Sequence, residues 1–207
     1  MKRIRIVQDQ SPESPREWDN LGTMLCVHNR YDLGDSTDIN HNDFDSWAEM
    51  EKHLYKKEDA AIVLPLYLYD HSGITISTGS FSCRFDSGQI GFIYISRAKI
   101  LKEYGRKIVT KALKEKVTTY LEGEVKTYDQ YLTGEVYGFI VEEATEMVKL
   151  SREEYETGVC DNVESETEWT EIDSCWGFYG DDFLTNGVLD YAGEEFKDQL
   201  KNIEIEY

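Results

Sequence analysis

The segment from Pro65 to Phe92, PLYLYDHSGITISTGSFSCRFDSGQIGF, contains every side-chain type that a hydrolase triad requires. Nucleophilic catalysis needs a serine or cysteine within hydrogen-bond reach of a base, which a third group orients. A small hydrolase-like enzyme that uses this region is therefore one function that the sequence leaves open. Its candidate pocket consists of Asp70, His71, Ser72, Cys83 and Asp86.

The same residues also fit two polar hairpin turns. Asp70 and His71 are adjacent, and neighbouring side chains on a strand point to opposite faces of a sheet. The sequences DHSG and DSGQ both have the aspartate and glycine chemistry of turns. No G-x-S-x-G elbow is present, which a hydrolase of the α/β kind would show. The sequence favours turns over a triad, and we assign no catalytic residue.

Metal and cofactor motifs are missing from the sequence. A loop at 29–43, NRYDLGDSTDINHND, has enough carboxylates for Ca²⁺ or Mg²⁺, but it lacks the EF-hand order. The four cysteines form no CxxC pair, which counts against zinc. No P-loop, G-x-G-x-x-G or H-E-x-x-H occurs. We expect no metal and no cofactor, and we interpret the loop as a solvated acidic segment.

Hydrophobic periodicity predicts an α+β fold, with a mostly antiparallel sheet packed against a central helical block and a C-terminal helix. Strands such as RIRIV and IGFIYIS precede the helical block, and EVYGFIVEE follows it. Gly134 ends the longest predicted helix. The final helix carries the apolar stripe Val188, Leu189, Ala192, Phe196 and Leu200.

The composition is that of a folded protein, and the sequence predicts a cytoplasmic location. The chain has 207 residues, 40% of them hydrophobic and 13% aromatic, which suits one domain over 1–207. A possible acidic insertion lies at 143–168. No apolar run is long enough for a signal peptide or a membrane helix, so we expect no membrane contact.

Charge is unevenly distributed along a chain whose net charge is −19. From Arg97 to Lys126 there are nine Lys/Arg and four Asp/Glu, whereas Glu142 to Asp173 contains twelve Asp/Glu and two Lys/Arg. An acidic chain repels nucleic acid on average, because binding there needs cations at the phosphates. We therefore expect no direct nucleic-acid contact. Solubility explains the charge equally well.

Two further features have alternative interpretations. The basic helix region, with Lys102, Arg106, Lys107, Lys111, Lys114 and Lys116, could contact phosphates, but a solvated helix face is favoured. Aromatic residues interleaved with glycine in REWDNLGTM and DSCWGFYGDD favour core and turns over a base-stacking platform.

Five motifs together resemble a family of small acidic proteins of bacteriophages and mobile elements of Gram-positive bacteria. They are SPREWDNLGTM, DHSGITIST, DSGQIGFIY, TYDQYLTGEVYGF and DSCWGFYGDD, and the resemblance covers residues 9–182. The segment from Glu142 to Asp173 is longer in this chain than in that family. The resemblance transfers no catalytic role.

A phage origin implies an anti-defence protein of the anti-CRISPR or antirestriction type. Such a protein inhibits a host nucleic-acid enzyme through acidic surfaces, in some cases as a DNA mimic. The partner would be a basic host protein such as a CRISPR or restriction nuclease, and an accessory role in phage replication or packaging is the other alternative. The predicted partner-binding residues are Asp32, Asp35, Asp38, Asp43, Asp45, Glu153, Glu154, Glu156, Glu164, Glu166, Glu168, Asp181 and Asp182.

Overall fold

The chain forms two four-stranded sheets. The computed structural model describes residues 1–149 and 164–207. Its helices and strands are, in chain order, β1 (Lys2–Gln8), β2 (Thr23–Cys26), α1 (Trp47–Lys56), β3 (Ala60–Asp70), β4 (Ile74–Ser77), β5 (Ser87–Ser96), α2 (Arg97–Glu103), α3 (Lys111–Thr133), β6 (Val136–Lys149), β7 (Glu164–Tyr179), α4 (Val188–Ala192), α5 (Lys197–Leu200) and β8 (Ile205–Glu206).

The predicted α+β class is confirmed. Strand pairings are antiparallel except for the short one between β1 and β8. The chain divides into two compact units. Unit 1 comprises Met1–Pro12 and Glu135–Tyr207, and unit 2 comprises Glu13–Gly134. Unit 2 is thus inserted between β1 and β6 of unit 1.

Unit 1 contains a sheet in the order β7-β6-β1-β8. Alternate residues of its strands face a core that α4 and α5 cover, because side chains on a strand alternate between the two faces. This core contains Ile6, Phe139, Phe178, Val188 and Phe196. The last predicted helix is wrong as a single helix, since Gly193 has a φ of +110° and separates α4 from α5.

Unit 2 contains a sheet in the order β2-β5-β3-β4, with helices on both faces. Alternation along β5 directs Ile93 toward the core under α3 and Phe92 toward the core under α1. Helix α3 begins after the Thr110 cap, so Ile108 and Val109 precede it, and it ends at Gly134 as predicted, with that glycine in the left-handed conformation. Its buried stripe is Val117, Leu121, Val125 and Tyr128.

None of the described helices is long and apolar enough to cross a membrane. The ends of the predicted acidic insertion at 143–168 belong to the paired strands β6 and β7. Its middle, at 150–163, lies outside the described residues, and so do the predicted partner-binding residues Glu153, Glu154 and Glu156.

Candidate functional site

The predicted DHSG turn joins β3 to β4 in unit 2. Ser72 has a φ of +58°, and the backbone N–H of His71 donates to the carbonyl of Gly73 at 3.0 Å. The second predicted turn is displaced. The bend lies at 84–86, and Ser87 already belongs to β5 because it pairs with Tyr69.

Three of the five candidate pocket residues meet at one carboxylate. Asp86 Oδ2 lies 3.3 Å from Cys83 Sγ and 3.6 Å from His71 Nδ1. A nucleophilic triad needs the nucleophile to touch the base, with the acid on the far side of that base. Here the acid lies between thiol and imidazole, and Ser72 is exposed on the turn. The residues converge, but their order is not that of a triad.

Asp70, the fifth candidate, belongs to a neighbouring cluster. Its carboxylate forms an ion pair with Arg30 and accepts a hydrogen bond from the Tyr31 hydroxyl at 3.4 Å. The imidazole of His28 stacks on Tyr31, and its Nδ1 accepts the backbone N–H of Arg30 at 3.3 Å. His28, Arg30 and Asp70 line a cleft of about 410 Å³, and Asp86 lines it too. The Asp70 carboxylate of this cleft is thus already paired with a guanidinium.

No group of three or more His, Cys, Asp or Glu side chains in the described part of the chain is arranged to hold a metal ion. The acidic loop that follows β2 illustrates this. Its carboxylates Asp32, Asp38, Asp43 and Asp45 are exposed.

Asp35 differs from the other predicted surface carboxylates because it forms hydrogen bonds within unit 2. It accepts hydrogen bonds from Arg16 Nη2 at 2.6 Å and from the backbone N–H of Met24 at 2.7 Å. Arg16 in turn lies 3.1 Å from Glu124 of α3, and both of these side chains are buried. Asp35 therefore positions a loop, and both of its carboxylate oxygens already accept hydrogen bonds from Arg16.

The densest exposed carboxylates of the described chain lie on the β6–β7 pair, partly beside the first residues of β1 and partly beyond them. We call residues 142–147 and 165–173 the acidic ribbon. It contains seven carboxylates and no lysine or arginine. The register places Glu143 opposite Thr170, Thr145 opposite Glu168 and Met147 opposite Glu166. Six carboxylates of the ribbon are exposed, namely Glu143, Glu146, Glu166, Glu168, Glu171 and Asp173.

The seventh carboxylate, Glu142, anchors the ribbon to the sheet. It accepts hydrogen bonds from Arg3 Nε at 2.6 Å and from Arg5 Nη1 at 3.3 Å, and it is 8% exposed. The Arg3 guanidinium also lies 4.1 Å from the ring centroid of Trp169. A cation over an aromatic face is attracted by the ring's charge distribution. The arginines of β1 are thus occupied at the base of the ribbon and do not neutralise its exposed end.

The two units differ strongly in charge. Unit 1 has 22 Asp/Glu and 7 Lys/Arg, a net charge of −15, whereas unit 2 has 19 and 15, a net charge of −4. Asp181 and Asp182 of unit 1 are exposed as well, and Asp182 accepts a hydrogen bond from the Thr185 hydroxyl at 2.7 Å. Most of the negative charge of the chain therefore belongs to unit 1.

Comparisons with protein-family models, curated proteins and solved structures gave no match for this chain. The resemblance to acidic phage proteins therefore stays a prediction. Sequence reasoning missed the partnership of Arg16 with Glu124. No local signal indicates it, because the two residues are 108 positions apart.

Proposed function

We propose that the protein is an anti-defence protein, encoded by a phage or mobile element, that inhibits a host nucleic-acid enzyme by binding it. The target would be a CRISPR or restriction nuclease whose nucleic-acid channel is basic. The protein would act without catalysis, through the carboxylates of unit 1. The motif resemblance supports the phage origin.

The observation that carries this proposal is the density of exposed charge on the acidic ribbon. Eight steps from Ser165 to Asp173 span about 27 Å at about 3.4 Å per residue. Six exposed carboxylates over that length correspond to one negative charge in about 4.5 Å. One strand of duplex DNA carries one charge per about 3.4 Å of its axis. Counted over both faces of the ribbon, this charge density is somewhat below that of one DNA strand. Alternation places Glu143, Glu166 and Glu168 on one face and Glu146 and Glu171 on the other.

The segregation of charge makes such a surface effective. A nuclease channel attracts anions along a focused electrostatic field, which increases the association rate of a complementary partner. Lysines interspersed among the carboxylates would cancel this field at short range; none lies within the ribbon, and Lys2 of β1 is paired with Glu143 at its edge. The aliphatic side chains Met147 and Ile172 beside the carboxylates are about half exposed and offer apolar contact to the same partner.

A competition experiment tests the proposal. The protein is titrated into pre-formed complexes of labelled DNA with CRISPR and restriction nucleases of Gram-positive bacteria. We expect release of the DNA from at least one nuclease, with a potency that falls as salt rises from about 50 to about 200 mM. Failure to displace DNA from any nuclease at low salt, or displacement that does not respond to salt, would contradict the proposal.

A further inference from the structure

Strand β7 forms one edge of the sheet in unit 1. No strand among residues 1–149 and 164–207 pairs with its outer side. The first part of β7, from Glu164 to Glu171, keeps a regular register with β6, and the two irregularities of this strand pair lie beyond it. This part of β7 contains no proline. An edge strand of this kind presents a row of backbone hydrogen-bonding groups to which another strand can be added.

The hydrogen-bond pattern identifies the backbone groups that point outward from this edge. The backbone N–H of Ala144 donates to the carbonyl of Met1 at 2.8 Å, so Ala144 of β6 turns its backbone groups toward β1. Successive residues of a strand turn these groups to opposite sides, and Thr145 therefore turns them toward β7. Thr145 lies opposite Glu168, whose backbone groups point inward to β6. The N–H and C=O of Thr167 consequently point to the outer side of β7.

The same alternation gives outward N–H groups at Ser165, Thr167 and Trp169. Within the described residues, no oxygen accepts a hydrogen bond from any of these three N–H groups. Ser165 and Thr167 are exposed. This part of the edge therefore has the donors and the access that an added strand requires.

The charge of the edge determines which kind of strand fits beside it. Glu168 lies on one face of β7 and Glu171 on the other, so an added strand has a carboxylate next to each of its faces. An apolar strand would remove water from these carboxylates without offering them a partner, which is costly. A second copy of β7 would bring glutamates close to glutamates, between units that each have a net charge of −15. Lysine or arginine side chains on the added strand would instead pair with the carboxylates.

We infer that the outer edge of β7 binds an extended, lysine- or arginine-rich segment of the target protein as an added strand. Backbone hydrogen bonds would fix the register, and the cationic side chains would contact the carboxylates. This inference deepens the proposed function and rests on it for the identity of the partner. It is more specific than attraction between charged surfaces, which does not need the outward N–H groups of β7.

Thr167→Pro tests the inference without changing the charge of the acidic ribbon. Proline removes the outward N–H and places ring atoms where the added strand would lie, whereas the hydrogen bonds between β6 and β7 do not use this N–H. The matched control is Thr167→Ala, which keeps the N–H. The probe is a labelled peptide of alternating lysine and threonine, KTKTKTKTK, and fluorescence anisotropy measures its binding to the full-length protein at about 50 mM salt.

We expect saturable binding of the peptide to the unaltered protein and to Thr167→Ala, with affinities that agree within about twofold. Thr167→Pro should bind it about tenfold more weakly or worse, because a hydrogen bond is lost and the ring obstructs the strand. Circular dichroism of each variant confirms that it folds. Ser165→Pro removes the neighbouring outward N–H and should give a similar loss, so it decides the question if Thr167→Pro does not fold.

Hydrogen exchange followed by NMR provides a second readout. On addition of the peptide, the amide N–H groups of Thr167 and Trp169 should exchange about tenfold more slowly or slower still, whereas that of Glu168, already bonded to β6, should change little. The inference is overturned if the peptide does not bind saturably, if the alanine and proline variants bind it equally, or if the exchange of Thr167 is unchanged.

Inhibition of a nuclease separates this inference from the proposed function. Equal inhibition by Thr167→Ala and Thr167→Pro would overturn the added strand and leave the proposed function in place. Failure to inhibit any nuclease would contradict the proposed function, while the peptide and hydrogen-exchange results would still decide whether the edge of β7 accepts a basic strand.

Discussion

Arg16 and Glu124 form a buried ion pair that fastens the first loop of unit 2 to α3, with Nη1 and Oε2 3.1 Å apart. Glu124 Oε1 also accepts the backbone N–H of Leu21 at 2.7 Å, and Arg16 Nη2 donates to the carbonyl of Gly22 at 2.9 Å. Burial by itself lowers the pKa of Arg16, but its hydrogen bonds to Asp35 help to raise the pKa overall. The pair is stable because its hydrogen-bonding groups have partners.

Replacing Glu124 by glutamine should destabilise the protein by about 2–3 kcal/mol. The change leaves the buried Arg16 charge with Asp35 as its one carboxylate partner in the described chain. Urea denaturation followed by circular dichroism measures the loss.

The control for this variant is Glu115→Gln, in an exposed pair of α3 in which Lys111 Nζ lies 3.8 Å from Glu115 Oε1. It should change the free energy of unfolding by about 0.5 kcal/mol or less. Similar losses of unfolding free energy in the two variants would show that the buried ion pair does not fasten the first loop of unit 2 to α3.

Replacing Gly138 and replacing Gly123 by alanine should change the free energy of unfolding in opposite directions. A Cβ at Gly138 would lie 2.3 Å from Cε3 of Trp176, so the indole ring must leave its place on the sheet. We expect a loss of about 1–3 kcal/mol and a changed tryptophan fluorescence spectrum. Gly123 has open space, and alanine there should stabilise by about 0.5–1 kcal/mol. Thermal unfolding compares the stabilities of the two variants. A change in stability of the same sign in both would contradict the packing described.

Cys26 should resist alkylation in the native protein. Burial, with a smaller contribution from the Asp35 carboxylate, raises the pKa of its thiol from 9.0 to about 12. At pH 8 the thiolate is then about a thousandfold scarcer than for an ordinary cysteine, and the thiolate is the reactive form. Iodoacetamide labelling with peptide mass spectrometry should show slow labelling of Cys26 in native protein and fast labelling in guanidinium.

The same pKa has a consequence for stability. The native state keeps the Cys26 proton to higher pH than the unfolded state, so this group's contribution to stability falls as pH rises above about 9. Labelling of Cys26 at equal rates in native and unfolded protein would rule out both effects.

Sequence patterns predicted those helices and helix ends that depend only on residues close together in the chain. The stripe of α3 and its end at Gly134 could be predicted because the helical period and the left-handed glycine are local properties. The break at Gly193 was missed because the apolar stripe continues across it. Asp35 was assigned to the surface because its neighbours are acidic, and its partner Arg16 lies in another loop.

The candidate pocket shows the same limit. Cys83 and Asp86 are three residues apart, so their proximity could be predicted from the sequence. The position of Asp86 between Cys83 and His71 depends on the bend at 84–86, which the sequence placed later in the chain. The spacing of the residues therefore predicted that these side chains lie close together, but it could not determine which of them are in contact.

Binding of two charge-matched variants to a nuclease without DNA tests the central claim most directly. One variant neutralises the acidic ribbon, with glutamine at Glu143, Glu146, Glu166 and Glu168. The other removes the same charge from exposed positions of unit 2, with glutamine at Glu17, Glu103, Glu115 and Glu122. For a nuclease that the unaltered protein inhibits, we expect the ribbon variant to bind about tenfold more weakly or worse and the unit 2 variant to bind within about twofold. Equal losses in both variants would mean that net charge alone governs binding, and this would contradict the account.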